Sequence, residues 1–437
     1  MMLGRLLRWV PTILAAMSST SIAAEDAPIC SITDRDHLPK LEARIYSDMS
    51  YFTAGRVGFA CQMWQTFIYL NWPASSRRGE PDNGAKFGSD GATVWETYKT
   101  VKQVFLPNAA DPGPWPNSAR IPTLSKPLNE QVANGRLRRL TVKSKISPEV
   151  MANIARNEFI TPDIVRDMEE VAKAVLYDLN GKPVFYEVAL NQAKYDYVRS
   201  KRFYNAKAQV EFARKETIIL PPESVTVKAA WKILSVTEIK SREFHTAQAL
   251  IPGSQRPVTV GLIGLHIYQP LRATGQGAWA TFAHVKNAPV MDDVIGDSYS
   301  FYDPLCNCPV NEPNRNPGQV MQIFPDEEEE KKVTRYMQDL IKADNPNSPW
   351  QHYKLVTVQW ATAKKEVSEL AKPVVIPLPD GAPNHPTAVN AVIETFKQKA
   401  KTNCLGCHQV ATVARNKGTP AYAAFYSFTF GHAKPPR

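Results

Sequence analysis

Two cysteines and a histidine near the end of the chain carry the clearest chemistry. Cys404, Cys407 and His408 stand in "CLGCH" with the C-x-x-C-H spacing of a c-type haem attachment site. The spacing suits that chemistry. Two thiols a short loop apart can add to two vinyl groups of one porphyrin, and the adjoining imidazole is then held beneath the iron as an axial ligand. With six cysteines and eight histidines in 437 residues, a chance match would occur in roughly one chain in a thousand. The competing readings are a redox dithiol and half a zinc site. The first lacks a βαβ setting and has His directly after the second Cys. The second lacks another ligand pair at the usual spacing. The expected cofactor is one covalent haem c, bound by Cys404, Cys407 and His408, with His408 the proximal iron ligand.

The second axial position is harder to place. Only 29 residues follow His408, and none is Met. A segment as short as 387–437 buries too little apolar surface to enclose a haem alone. The residues upstream must therefore supply much of the pocket. His266, inside the apolar run "VGLIGLHIYQ", and His284, at the end of "WATFAHV", are the first distal candidates. His432 is third, because it lies near a Pro-rich tail expected to fray. Met63, Met291, Met321 and Met337 are further candidates. For His266 and His284 the alternative is a hydrogen-bonded core histidine.

The elements that must position these residues read as follows. "VGFACQMWQTFIYL" predicts a largely buried helix over 57–70, ended by Asn71-Trp72-Pro73. Short helices are expected over 93–105 and from Ser147. The acidic run at 326–332 should open an exposed helix. Asn180-Gly181 between apolar runs predicts a hairpin. The runs at 224–236, 257–269, 277–285 and 354–362 are rich in β-branched and aromatic residues and read as strands. Strands in succession flanked by helices give an α+β class: a large helix and antiparallel-sheet domain over 25–370, with a short, mostly helical C-terminal segment, 387–437, packed on it. The Pro-rich stretch 371–386 is an extended linker or strap. Apolar residues at 389, 392, 393, 396 and 400 predict a helix that delivers the haem motif. The aromatic tail "AYAAFYSFTFG" is expected either at the haem edge or as a core strand.

Residues 1–24 have the basic start, apolar stretch and small-residue end of a secretory signal peptide, with cleavage expected near Ala23 or Ala24. The apolar stretch is shorter than the ~20 residues a membrane span needs. No later run is long and apolar enough, so no membrane span is expected after cleavage and a periplasmic location is. The remaining chain has 50 basic and 42 acidic residues, a net charge of +8. The basic residues are dispersed, which argues against nucleic acid. Such a surface could steer an acidic redox partner. Cys30, Cys61, Cys306 and Cys308 are expected in disulfides, with all three pairings open. "CNC" at 306–308 has no neighbouring ligands at zinc spacing.

The chain resembles an uncharacterised family of bacterial periplasmic proteins with a single c-type haem. The resemblance is carried by "WQTFIYLNWPA" (64–74), "VWETYKTVKQVF" (94–105), "FYEVALN" (185–191), "VTVKAAWKIL" (225–234), "GLIGLHIYQ" (261–269), "WATFAHVKNAP" (279–289) and "CLGCH" (404–408). It implies a covalent haem and a periplasmic location, and no substrate.

Two function classes follow. One is an electron-transfer cytochrome acting on a redox partner protein, which needs two axial ligands. The other is a haem-dependent peroxidase or oxygenase acting on a small molecule, which needs an open distal position and a proton-handling residue. A ligand-binding redox sensor is a third expectation. The redox partner and the substrate are not identified by any motif.

Overall fold

The computed structural model describes residues 30–33, 36–37, 55–117, 138–140 and 174–436, apart from short interruptions at 253, 255, 272–274, 292–297, 364–366, 368–369, 371 and 415–418. The signal-peptide region and the helix expected from Ser147 lie outside the described residues.

The strand-like runs pair into one sheet. Strands β1 (Ser31–Thr33) and β2 (Asp36–His37) form a separate small pair. The main sheet holds β3 (Lys99–Thr100), β4 (Arg138–Arg139), β5 (Phe185–Leu190), β6 (Thr226–Ile233), β7 (Thr246–Leu250), β8 (Val258–Leu271), β9 (Gln276–His284) and β10 (Tyr353–Trp360). Its order is β10-β9-β8-β6-β5-β3, antiparallel throughout. β7 pairs with the start of β8, and β4 runs parallel to β7. Seven α-helices accompany the sheet among the described residues: α1 (Gly55–Leu70), α2 (Val101–Val104), α3 (Gln192–Ser200), α4 (Ala206–Ala213), α5 (Val236–Ser241), α6 (Glu328–Asp344) and α7 (Cys404–His408). The α+β class is as the sequence implies.

One face of the sheet packs on helices. α1 is buried almost all round, Gln62, Gln65 and Thr66 included, so it is covered on several sides. Phe59 stacks on Trp360 of β10 at 3.9 Å between ring centroids, and Phe67 stacks on Phe282 of β9 at 4.2 Å. α6 packs on its outer side, where Arg56 Nε donates to Glu330 Oε2 (2.8 Å). The Cys30–Cys61 disulfide ties Cys30 to α1, and Cys306 lies against Cys308.

The other face packs on the C-terminal segment. Side chains alternate faces along a strand, so Gly264, His266 and Tyr268 of β8 share this face with Trp279 and Thr281 of β9. A Cβ on Gly264 would meet Ile393 Cδ1 at 3.0 Å and Val392 Cγ2 at 3.3 Å, so glycine lets residues 392–393 lie directly on the strand. Asn390, fully buried, donates through Nδ2 to Thr281 Oγ1 (2.8 Å) and to the Phe282 carbonyl (3.1 Å).

Three local expectations are corrected. The helix expected to lead into the motif is instead a series of turns with a 3-10 turn at Thr395–Lys397, so the C-terminal segment is not mostly helical. Its apolar residues are still buried, because they serve the sheet contact rather than a helical stripe. The helix expected over 93–105 is broken into a 3-10 turn (Trp95–Thr97), β3 and α2. The tail does not fray: it forms a 3-10 turn at Phe428–His432 with Phe430 fully buried, and Ala206 N–H donates to the Lys434 carbonyl (3.1 Å). Residues 372–386 run as a strap, with Ile376 N–H donating to Ala421 O (3.0 Å) and Leu378 N–H to Gln409 O (2.8 Å).

Candidate functional site

A cavity of about 1090 Å³, including its open mouth, lies between the sheet and the C-terminal segment. Its floor is two cross-strand rungs. Val188, Lys228 and His266 stand opposite one another on β5, β6 and β8; Thr226, Tyr268 and Trp279 do so on β6, β8 and β9. Its roof is Cys404, Cys407, His408, Glu394, Tyr426, Phe428 and their neighbours.

The motif is anchored from both sides. Asn403 caps α7, its side chain accepting from Gly406 N–H (2.7 Å). Gln359 of β10, opposite Trp279, accepts from Leu405 N–H (3.0 Å) and donates to the His385 carbonyl (2.9 Å). Leu405 itself is fully buried. The sheet therefore fixes both the floor of the cavity and the first turn of the motif.

His408 is oriented by the tail. Its Nδ1 lies 2.6 Å from the Tyr426 carbonyl oxygen. A carbonyl only accepts, so Nδ1 carries the proton and Nε2 keeps its lone pair. Burial lowers the imidazole pKa to about 4, so the ring is neutral at pH 7 and suited to bind a metal through Nε2. Phe425 and Tyr426 take left-handed backbone conformations, φ 41° and 57°. Such residues cost on the order of 1–3 kcal/mol each and persist where surrounding contacts enforce them. Here those contacts are Tyr268 Oη donating to Phe425 O (3.2 Å) and Tyr426 Oη donating to Pro379 O (2.6 Å). Phe428 lies 5.0 Å from the His408 ring, and Trp279 5.5 Å. Of the aromatic tail, Tyr426 and Phe428 line the cavity, while Tyr422, Phe425 and Phe430 belong to the core.

Neither Cys404 nor Cys407 is in a disulfide, and both are half-buried. Burial, with Glu394 nearby, pushes the Cys404 thiol well above its usual pKa. A dithiol built for disulfide exchange has a depressed thiol pKa, so this environment does not suit that reading.

No protein-family model, curated protein or solved structure matches this chain.

The two first distal candidates part company. His266 lines the cavity with the motif. Its Nε2 is buried without a hydrogen-bond partner, although Glu394 Oε2 is 3.3 Å away. His284 does not line the cavity. It is 1% exposed, stacks on Phe244 at 3.9 Å, donates from Nε2 to the Glu243 carbonyl (3.2 Å) and accepts Lys286 N–H at Nδ1 (3.1 Å). Both nitrogens are satisfied, and burial lowers its pKa to about 3. The reason is parity. His266 faces Thr281 across the hairpin, and His284 is three residues further on, hence on the opposite face. His432 also lines the cavity, whereas Met63, Met291, Met321 and Met337 do not.

Sequence reasoning missed Lys228, Glu394, Tyr268 and Trp279. Lys228 and Tyr268 each flank a residue or run already singled out, and a period-2 reading of β6 and β8 would have put both on the floor. Among the described residues no group of three or more His, Cys, Asp or Glu side chains is arranged to hold a bare metal ion. The donors that do line the cavity together are the two motif thiols and the His408 imidazole.

Proposed function

We propose that this chain carries one haem c, bound through Cys404 and Cys407 with His408 as proximal ligand, and that it transfers single electrons outside the cytoplasm. The observation that carries this reading is the joint placement of both motif thiols and a neutral, oriented imidazole on the wall of one cavity. The Cys404 and Cys407 thiols would add across two vinyl groups, sulfur to one carbon and hydrogen to the other. A bound haem would supply a one-electron iron couple. His408 would hold the iron through Nε2, the Tyr426 carbonyl would fix its ring and raise its basicity, and Tyr268, Trp279 and Phe428 would exclude water. His266, which lines the same cavity with Nε2 towards Glu394, would be the second residue to hold the iron. The signal-like residues 1–24 support export to the periplasm. Among the described residues no helix is long and apolar enough to cross a membrane.

A second reading is favoured by one specific contact. His266 lies 3.3 Å from Glu394, with Lys228 opposite it on β6. These groups could hold and move a proton in a peroxidase or oxygenase. Spectra of the purified protein in both redox states, with and without carbon monoxide, separate the two. A six-coordinate spectrum indifferent to carbon monoxide supports electron transfer; a high-spin ferric spectrum with rapid ligand binding supports the enzyme.

A further inference from the structure

Behind one wall of the cavity lies a buried cation. Lys194 is in the first turn of α3 and is fully buried. Its ammonium donates to Thr226 Oγ1 (2.7 Å) and Ser427 Oγ (2.8 Å), and sits 5.8 Å from the centre of the Phe430 ring. Among the described residues no carboxylate forms an ion pair with it. An ammonium removed from water in this way is costly unless it is compensated, and burial lowers its pKa to about 7.

The hydroxyls around it have donors to spare. An ammonium has no acceptor, so Thr226 and Ser427 must accept from it and direct their own protons elsewhere. Ser427 Oγ and Thr429 Oγ1 lie 2.8 Å apart, and one proton is shared between them. Of three hydroxyl protons, two are left without an acceptor among the described residues, and Thr226, Ser427 and Thr429 all line the cavity. Ser427 and Thr429 are themselves buried, at 4% and 5% exposure.

We propose that Thr226, Ser427 and Thr429, backed by Lys194, form a carboxylate subsite of this cavity. Two spare O–H donors match the two oxygens of a carboxylate, and the single charge behind them matches a monoanion. The carboxylate can come from two sources. One is a propionate of the haem, which rests on the function proposed above. The other is a free small carboxylate, which does not.

The test uses the full chain, with Lys194→Met as the main variant and Ser427→Ala as the second should the first fail to fold. In the holoprotein, resonance Raman reads the haem propionate bending band. In parallel, sodium propionate is titrated calorimetrically against wild type and variants, with sodium chloride at equal ionic strength as control. A band that moves in the variants identifies the haem propionate as occupant. Propionate binding that weakens at least tenfold in the variants, with the band unmoved, identifies a free carboxylate. An unmoved band together with no variant-sensitive propionate binding overturns the subsite. If the protein holds no haem, the same titration on the haem-free chain still decides: binding sensitive to Lys194 upholds the subsite while the cofactor reading fails, and no such binding overturns it.

Discussion

His408 Nδ1 donates to the carbonyl oxygen of Tyr426 across 2.6 Å, and that one bond decides which ring nitrogen is left for the cavity. The tautomer is fixed by chain geometry at a residue held in left-handed backbone. On the proposed reading, Nε2 is the iron ligand. His408→Gly in the holoprotein should therefore change the ligand-field spectrum, and added imidazole should restore it. A spectrum identical to wild type would remove His408 from the iron.

His266 and His284 should respond differently to the same change. His266→Ala is expected to convert a low-spin spectrum to high-spin while the attached haem is retained. His284→Ala should leave the spectrum alone and lower stability, since it empties a packed, hydrogen-bonded core position. If the two variants swap these behaviours, the assignment of faces is wrong.

The pH dependence of stability should carry the signature of His284. Its folded pKa, about 3, lies below the unfolded value of about 6.5. Above about pH 6.5 both states are neutral there and its contribution is fully present. As pH falls from about 6.5 towards about 3, the unfolded chain takes up a proton that the folded one refuses, and stability drops by about 1.4 kcal/mol per pH unit. Denaturant unfolding at several pH values should show this slope reduced by that amount in His284→Leu. Parallel slopes in wild type and variant would mean that His284 is not buried in the neutral form.

Asn390 should be the weak point of the junction between sheet and C-terminal segment. Asn390→Leu leaves the Phe282 carbonyl without the side-chain donor and the Val392 N–H without its Oδ1 acceptor at 3.0 Å. Buried groups left unsatisfied cost about 1–3 kcal/mol each. A fall of that size in unfolding free energy is expected, and proteolysis should open the chain near 387–403 first. An unchanged midpoint would show that the segment is held elsewhere.

Much of this arrangement could be read in the sequence. The strands at β6, β8, β9 and β10 were legible because β-branched and aromatic runs bounded by turn residues have few other fates. The Asn180-Gly181 turn was legible too, with Gly181 at φ 69°. What resisted reading was set by distant partners. The apolar spacing at 389–400 imitates a helix, yet Val392 and Ile393 are placed by contact with Gly264. The side on which His284 falls depends on the pairing register of β8 and β9, which no local pattern fixes. Lys194, in "NQAKYDYVRS", looks like a solvated residue at a helix start. It is buried by Ser427, 233 positions away.

The central claim is covalent haem at Cys404 and Cys407, and the intact mass of the protein purified from a haem-c-maturing host tests it most directly. The account predicts the mass of the polypeptide plus one haem, persisting after denaturation, and its disappearance in the Cys404→Ala, Cys407→Ala double variant. A wild-type mass equal to that of the bare polypeptide would contradict it.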